Sequence, residues 1–403
     1  MIGTLLYLLF SLFFIYSFLS VLYLFLFSFA GRFFYRAKYK SLVLPLKKIA
    51  ILVPAYKEDG IMLSTGKNLL SLNYPKELYD VYLITDSFEP KTLQTLRELP
   101  LEVMEVSFTK STKTKSLNEA FSRINKAYDV ALICDADNVL AKDFLSKINT
   151  AFLSGARAVQ GQRVAKNLDT SFAILDACSE GINNNIFRKG ANALGLSSSV
   201  IGSGMAFEFA FVKQALSEID AVGGFDKILQ LKVVAGGTKI QYLEDAIVFD
   251  EKVDSSQAFQ QQRKRWVSSQ FIYLRTFFLP ACKQLLRGNL SYFNLGIASN
   301  LILPRAFLFL ILPLLVLAGF LLAPIWGVAS LAVWLLFVVT LAMALPVGLI
   351  NRDLFAAARN LPKAISVMLG TIVGMKKANK TFIHTVHTKT EINNPLFHEH
   401  SNK

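Results

Sequence analysis

Residues 1–30 carry no charged side chain and are almost wholly Leu, Phe, Tyr, Ser, Ile and Val. At the rise of an α-helix about 20 residues cross the hydrocarbon core of a bilayer, so this stretch is long enough to span one. It lacks the basic leader and the small-residue cleavage site of a signal peptide, and reads as a retained anchor. Arg32, Arg36, Lys38, Lys40, Lys47 and Lys48 follow at once. The positive-inside rule then puts the N-terminus outside and the next domain in the cytosol.

The last third repeats the pattern. Segments 304–322 and 327–350 are each long enough to cross, and the connection Ala323-Pro-Ile-Trp326 between them is uncharged. Arg352, Arg359, Lys363, Lys376, Lys377 and Lys380 follow the second segment, which places the connection outside and the tail inside. Three crossings of a cell inner or plasma membrane result. Segment 290–303, interrupted by Asn294 and Asn300, reads as an interfacial helix; 355–375 mixes basic and apolar residues and reads as amphipathic and interfacial, with a fourth crossing as the alternative. The expected layout is an anchor at 1–30, a soluble domain at 44–278, a membrane part at 290–350, and an amphipathic segment with a cytosolic tail at 351–403.

The formal charge of +14 is compatible with nucleic acid, anionic lipid or an anionic small substrate. Its position decides: the basic residues cluster beside apolar segments, which points to membrane lipids and away from a nucleic-acid groove. Cys134, Cys178 and Cys282 are scattered and odd in number, supporting neither a zinc site nor a disulfide framework.

Inside 44–278 the pattern is α/β. Ile49-Ala-Ile-Leu-Val-Pro-Ala-Tyr-Lys-Glu58 is a first strand entering a loop, and Leu78-Tyr-Asp-Val-Tyr-Leu-Ile-Thr-Asp86 a second, with helical spacing between them. Asp129-Val-Ala-Leu-Ile-Cys-Asp-Ala-Asp-Asn138 is continuously apolar and then stops at an Asp-x-Asp pair, as a central strand of a parallel sheet does. Ligands of open α/β sheets collect at the carboxyl ends of strands, and alternation sends Asp135 and Asp137 the same way, toward one divalent cation. A simple turn is the competing reading. No Gly-rich phosphate loop follows either early strand, which argues against a dinucleotide-binding dehydrogenase or a P-loop kinase. Lys110, Lys113 and Lys115 enter a helix whose N-terminus suits a phosphate. Further strands are expected at 158–162 and 239–249, and a helix at 228–234. Gln262, Arg265 and Trp266 share a helical face fit to clamp a diphosphate and stack on a sugar, or to lie on a membrane surface.

In this order, Pro54-Ala-Tyr-Lys-Glu58, Asp86, Lys113-x-x-x-x-Asn118, Asp135-x-Asp137, Gly202-Ser-Gly204, Gly223-Gly-Phe-Asp226 and Gln262-x-x-Arg265-Trp266 resemble the motif series of membrane-bound family-2 glycosyltransferases. That group includes cellulose, chitin and hyaluronan synthases and ceramide glucosyltransferase. The resemblance implies a GT-A fold, a mostly parallel sheet flanked by helices, and inverting hexosyl transfer from a UDP-sugar with Mg²⁺ or Mn²⁺. It implies substrate contacts for Pro54, Tyr56, Glu58, Asp86, Lys113, Asp135, Gly202, Ser203, Gly204, Gln262, Arg265 and Trp266, and metal contacts for Asp135 and Asp137. The family separates its Gly-Gly-Phe from a Thr-Glu-Asp whose Asp is the base, and here that spacer is missing. Asp226 takes the base's place, with Glu244 and Asp245 as rivals.

Glycosyl transfer needs cations and a metal against the departing diphosphate, and one carboxylate to take the acceptor's proton. No histidine precedes His384, so histidine chemistry is excluded from the core, and His384, His387, His398 and His400 read as solvated tail residues or, less readily, a metal site. The expected product is a growing β-linked polysaccharide, with a homo-oligomer or an export partner completing the channel. A lipid acceptor, or a non-catalytic sugar-nucleotide-binding subunit, is the alternative.

Overall fold

The computed structural model describes residues 2–36, 45–221, 223–371 and 387–394 of the chain. Eight strands form one sheet: β1 (Ile49–Tyr56), β2 (Tyr79–Asp86), β3 (Glu102–Val106), β4 (Val130–Ile133), β5 (Val139–Leu140), β6 (Ala158–Ala165), β7 (Met205–Glu208) and β8 (Ile240–Asp250). Their order is β3-β2-β1-β4-β7-β6-β8-β5. The first four are parallel, with the helix Asp59–Leu70 crossing from β1 to β2. Beyond β4 the sheet is mixed, because β7 runs antiparallel to both β4 and β6, while β6 and β8 are parallel to each other. The expected mostly parallel sheet therefore describes the first half better than the second. β7, four residues long behind the Gly202-Ser-Gly204 turn, is too short to declare a period in the sequence.

Val130, Ala131, Leu132 and Ile133 have no exposed surface. Successive side chains point to opposite faces: Ala131 and Ile133 pack with Leu52, Phe121 and Phe207, Val130 and Leu132 with Ile51, Phe144 and Val159. Burial on both faces is why this strand reads as an unbroken apolar run. Each buried Val, Leu or Ile contributes about 1.5–3 kcal/mol.

Three helices, Ile2–Phe33, Arg305–Leu322 and Pro324–Ala344, are long and apolar enough to cross a membrane. They bury Phe10, Leu24, Leu308, Leu312 and Phe337 against one another, while Leu12, Leu314 and Leu321 point outward. Outward leucines on such helices are what hydrocarbon would cover. The turn between the last two is Ala323 alone, shorter than the expected 323–326, because Pro324 is well placed as the first helical residue.

The bundle is joined to the α/β domain by close contacts. A Cβ added at Gly190, in the π-helical segment Asn184–Gly190, would meet the Phe27 carbonyl oxygen at 2.1 Å, so the two backbones touch. Tyr23 donates its hydroxyl proton to Asn294 Oδ1 at 2.8 Å, and Arg305 donates to Asn183 Oδ1 at 2.8 Å and Ser179 Oγ at 2.9 Å. Segment 290–303 packs against both parts. It forms Leu290–Phe293, a π-turn at Asn294–Ala298 and Ser299–Leu301, and its Ser291 hydroxyl accepts from the Ser197 N–H at 3.0 Å. The described part of segment 355–375 is divided between Arg352–Ala358 and Leu361–Gly370, separated around Asn360 and Pro362, and Ala364 and Met368 pack on Phe172 and Phe259. The helix carrying Gln262 extends beyond 278, over Ser256–Leu286. Lys38, Lys40, Lys376, Lys377 and Lys380 lie outside the described residues.

Candidate functional site

β1, β2, β4, β6 and β8 all run in one direction, so their carboxyl ends share a rim. Three apolar strands deliver an aspartate there: β2 ends on Asp86, β4 leads into Asp135 and Asp137, and β8 ends on Asp250. One carboxylate oxygen from each of Asp135, Asp137 and Asp250 lies within 4.8 Å of the other two. An all-oxygen set of this kind fits a hard divalent cation such as Mg²⁺ or Mn²⁺.

The electrostatics fit as well. Burial raises the Asp137 pKa well above the usual carboxylate range, and Asp250 and Asp135 add to the rise while His387 opposes it. Asp250 is also buried, yet Arg163 and Lys252 hold its pKa low. A cation at this point relieves the repulsion among the three. Asp250 was not anticipated, although its signal was present: an apolar strand stopping on Asp, as at Asp86.

One side of the rim is a cleft of about 540 Å³, lined by Pro54, Tyr56, Glu58, Asp86, Lys113, Asp135, Asp137, Gln262, Arg265 and Trp266 among others. Asp86 is buried, and its Oδ2 has no hydrogen-bond partner among the described residues, an orphaned acceptor of the kind a ligand N–H satisfies. Lys113 is the first residue of the helix Lys113–Arg123, capped by Thr112, whose hydroxyl accepts from the Lys115 N–H. Its ammonium is paired with Asp135 and donates to the Gly202 carbonyl at 2.7 Å. Gln262 Oε1 is buried without a hydrogen-bond partner among the described residues. Burial lowers the Arg265 pKa, and Arg263, paired with Asp176, stacks 4.3 Å from the Trp266 ring.

A second cavity, of about 740 Å³, meets the cleft at Lys113, Asp135, Arg163, Arg265 and Trp266. It passes Gly202 and Asp226 and reaches Leu24, Phe309 and Leu341 on the three membrane-type helices. Asp226 lies in the first turn of the helix Phe225–Ala235, which follows Gly224, whose φ of +67° a side chain would strain, and the Tyr273 hydroxyl donates to the Gly223 carbonyl at 2.7 Å. Gly202 and Gly204 also have positive φ; a Cβ at Gly204 would strike Val248 at 2.6 Å. Ser203 is fully buried, its hydroxyl unpartnered.

Glu244 and Asp245 are placed elsewhere. The β6–β8 register jumps from Gly161↔Leu243 to Gln162↔Ile247, and this bulge turns both carboxylates out of the ladder. They are exposed, line neither space, and Glu244 pairs with Lys189 at 2.5 Å.

The tail differs from its expected solvated state. His387 is partly buried on the wall of the 540 Å³ cleft, its Nδ1 2.8 Å from Glu58 Oε1, and the backbone N–H groups of Thr388 and Lys389 both donate to Glu251. Histidine is thus not excluded from the site: chain order does not reveal that residues 387–394 fold back. His384, His398 and His400 lie outside the described residues.

A mixed α/β sheet with an acidic rim at its strand ends, joined to apolar helices, defines a GT-A-like nucleotide-sugar fold. The chain belongs to glycosyltransferase-like family 2, whose family model matches residues 45–269. It is 22% identical over 253 residues to the probable glycosyltransferase YdaM of Bacillus subtilis (strain 168), covering 59% of each chain. It is 26% identical over 232 residues to the beta-monoglucosyldiacylglycerol synthase of Nostoc sp. (strain PCC 7120), covering 54% of this chain and 48% of that one. The chain thus spans only about half to three-fifths of the length of the curated relatives it matches. Among solved structures it resembles the mannosyltransferase PcManGT from Pyrobaculum calidifontis in complex with GDP-Man and Mn²⁺, with a TM-score of 0.54 and 14% identity, over 94% of this chain and 100% of that one.

Proposed function

We propose that the protein is an integral-membrane inverting glycosyltransferase that moves a sugar from a UDP-sugar to a lipid acceptor. The observation that carries this reading is the 740 Å³ cavity, which joins Lys113, Asp135 and Asp226 to the apolar residues Leu24, Phe309 and Leu341. A hydrocarbon chain seated against those residues brings its head to the carboxylate rim. Similarity over half the chain to a beta-monoglucosyldiacylglycerol synthase points the same way.

In this reading the donor occupies the 540 Å³ cleft, with Pro54, Tyr56 and Glu58 on its wall. The orphaned Asp86 Oδ2 accepts an N–H of the base, and Lys113 with the helix N-terminus behind it faces the phosphates. Asp135, Asp137 and Asp250 hold Mg²⁺ or Mn²⁺, which when bound draws negative charge from the departing diphosphate. Gln262 and Arg265 contact the diphosphate. Gly202, Ser203 and Gly204 form the turn where acceptor and donor meet, and Asp226 takes the acceptor hydroxyl's proton. The catalytic domain, about 44–278, sits on the cytosolic face with the N-terminus outside, as the charge asymmetry demands.

A growing polysaccharide is the second reading. It rests on Trp266, which is 39% exposed where the two spaces meet and offers a stacking face to a sugar ring. Purified full-length protein in lipid vesicles, given radiolabelled UDP-sugars and Mn²⁺, distinguishes the readings. Label in the organic extract and equimolar UDP release is expected. Label in a water-soluble polymer sinks the lipid reading, and absence of UDP release with every sugar sinks enzymatic transfer.

A further inference from the structure

The charge lining the 740 Å³ cavity is unbalanced. Seven cationic and three anionic side chains face it among the described residues. The anionic ones are largely committed: Asp135 to Lys113, and Glu180 to Arg163 at 2.8 Å and Arg188 at 3.2 Å. Arg263 has Asp176. Setting aside Arg265, which also lines the 540 Å³ cleft, two cations are left over. The Lys227 ammonium makes neither a hydrogen bond nor an ion pair with any described residue, and of the opposite charges around it Asp226 acts on it most strongly. Arg305 opens the helix Arg305–Leu322 and its hydrogen-bond partners among the described residues are all neutral: Asn183 Oδ1, Ser179 O and Ser179 Oγ.

Neither residue lines the 540 Å³ cleft where the donor diphosphate is proposed to sit, so the excess is not explained by the donor. Both share their walls with apolar groups, including Phe309 and Leu341. A cation left without a counter-charge in such surroundings is costly unless a ligand supplies one. Burial lowers the Lys227 pKa, with Asp226 opposing, as expected of an ammonium short of a counter-charge.

We infer that the acceptor is an anionic lipid, one whose head carries a phosphate drawn to the cationic wall to which Lys227 and Arg305 contribute, while its hydrocarbon lies toward Leu24, Phe309 and Leu341. This deepens the lipid-acceptor reading and rests on it. The phosphate belongs either to a phosphodiester head with a free hydroxyl or to a polyprenyl phosphate. With the first, the hydroxyl oxygen bonds to the sugar's anomeric carbon and its proton passes to Asp226. With the second, a phosphate oxygen attacks and has no proton to lose. In both, the anomeric C–O bond to the diphosphate breaks and its electron pair leaves with UDP.

The test uses the full chain in vesicles of phosphatidylcholine alone, or doped with phosphatidylglycerol, polyprenyl phosphate or diacylglycerol, with labelled UDP-sugar and Mn²⁺. Transfer is expected to phosphatidylglycerol or polyprenyl phosphate at least about tenfold faster than to diacylglycerol. Lys227→Gln should raise the KM for the anionic lipid about ten- to hundredfold, and Lys227→Arg should restore most of it. UDP affinity, measured by calorimetry, should not change in either variant, which also reports that they fold. Arg305→Lys should weaken use of the anionic lipid in the same direction. Diacylglycerol used as well as phosphatidylglycerol, or a Lys227→Gln KM effect equal for both, overturns the anionic-acceptor inference while leaving the lipid reading standing. Label in no lipid at all defeats the lipid reading itself.

Discussion

Asp137 sits 3% exposed beneath Asp135 and Asp250, and its carboxyl holds a proton to a higher pH than it would in the unfolded chain. The sign follows from linkage: between the ordinary and the raised pKa the folded state binds more protons, so without metal Asp137 adds stability as pH falls through that window. A divalent cation must displace the same proton. The rise in Tm caused by Mn²⁺ is therefore expected to shrink from about pH 7.5 to about pH 5.5, and Asp250→Asn should remove most of it; calorimetry of the detergent-solubilised protein measures both. At Asp226, removal of the proposed base with Asp226→Asn should cut turnover with a hydroxyl acceptor about 10²- to 10⁴-fold with UDP affinity retained. Asp245→Asn should leave the rate within about twofold, since the bulge holds Asp245 outside both spaces. UDP release decides between them. Asp86, Asp135 and Asp137 stood out in the sequence because each interrupts or closes an apolar strand. The separation of Asp226 from Glu244 and Asp245 did not, since strand register is a tertiary property.

The helices and strands that place these groups are tied together at a few close contacts. The Ile2–Phe33 helix meets the Asn184–Gly190 segment backbone to backbone at Gly190, a junction only glycine permits. Gly190→Leu is expected to force the two apart and destabilise the protein by about 1–3 kcal/mol, read as a lower Tm. The returning segment 387–394 closes one wall of the 540 Å³ cleft through His387 and the N–H groups received by Glu251. Ending the chain at residue 386 should weaken UDP-sugar binding several-fold, while Glu58→Gln gives part of the same loss; a titration with UDP tests this. Helix and strand existence followed from periodicity: the helix expected at 228–234 is Phe225–Ala235 and the strand expected at 239–249 is Ile240–Asp250. The π-turns and the short β7 were not visible, because they arise from packing against neighbours and leave no period of their own.

At the scale of the whole molecule, a catalytic sheet is seated on three apolar helices, with the larger cavity opening between them. The charge asymmetry argues that Ala323 faces outside and Lys48 inside. In a cysteine-free background, a cysteine at position 323 should react with an impermeant maleimide in intact cells and one at 48 only after lysis; the reverse pattern would invert the proposed topology. What the sequence determined by itself was whatever is local or repeated: the apolar spans, the strand-end aspartates, and the ordered motifs that mark the family. Only the tertiary structure decided that Asp250 completes the acidic trio, that His387 returns to the site, and that Lys227 and Arg305 share one cavity. Those facts depend on residues far apart in the chain meeting in space, and side-chain periodicity carries no information about which distant faces pack together.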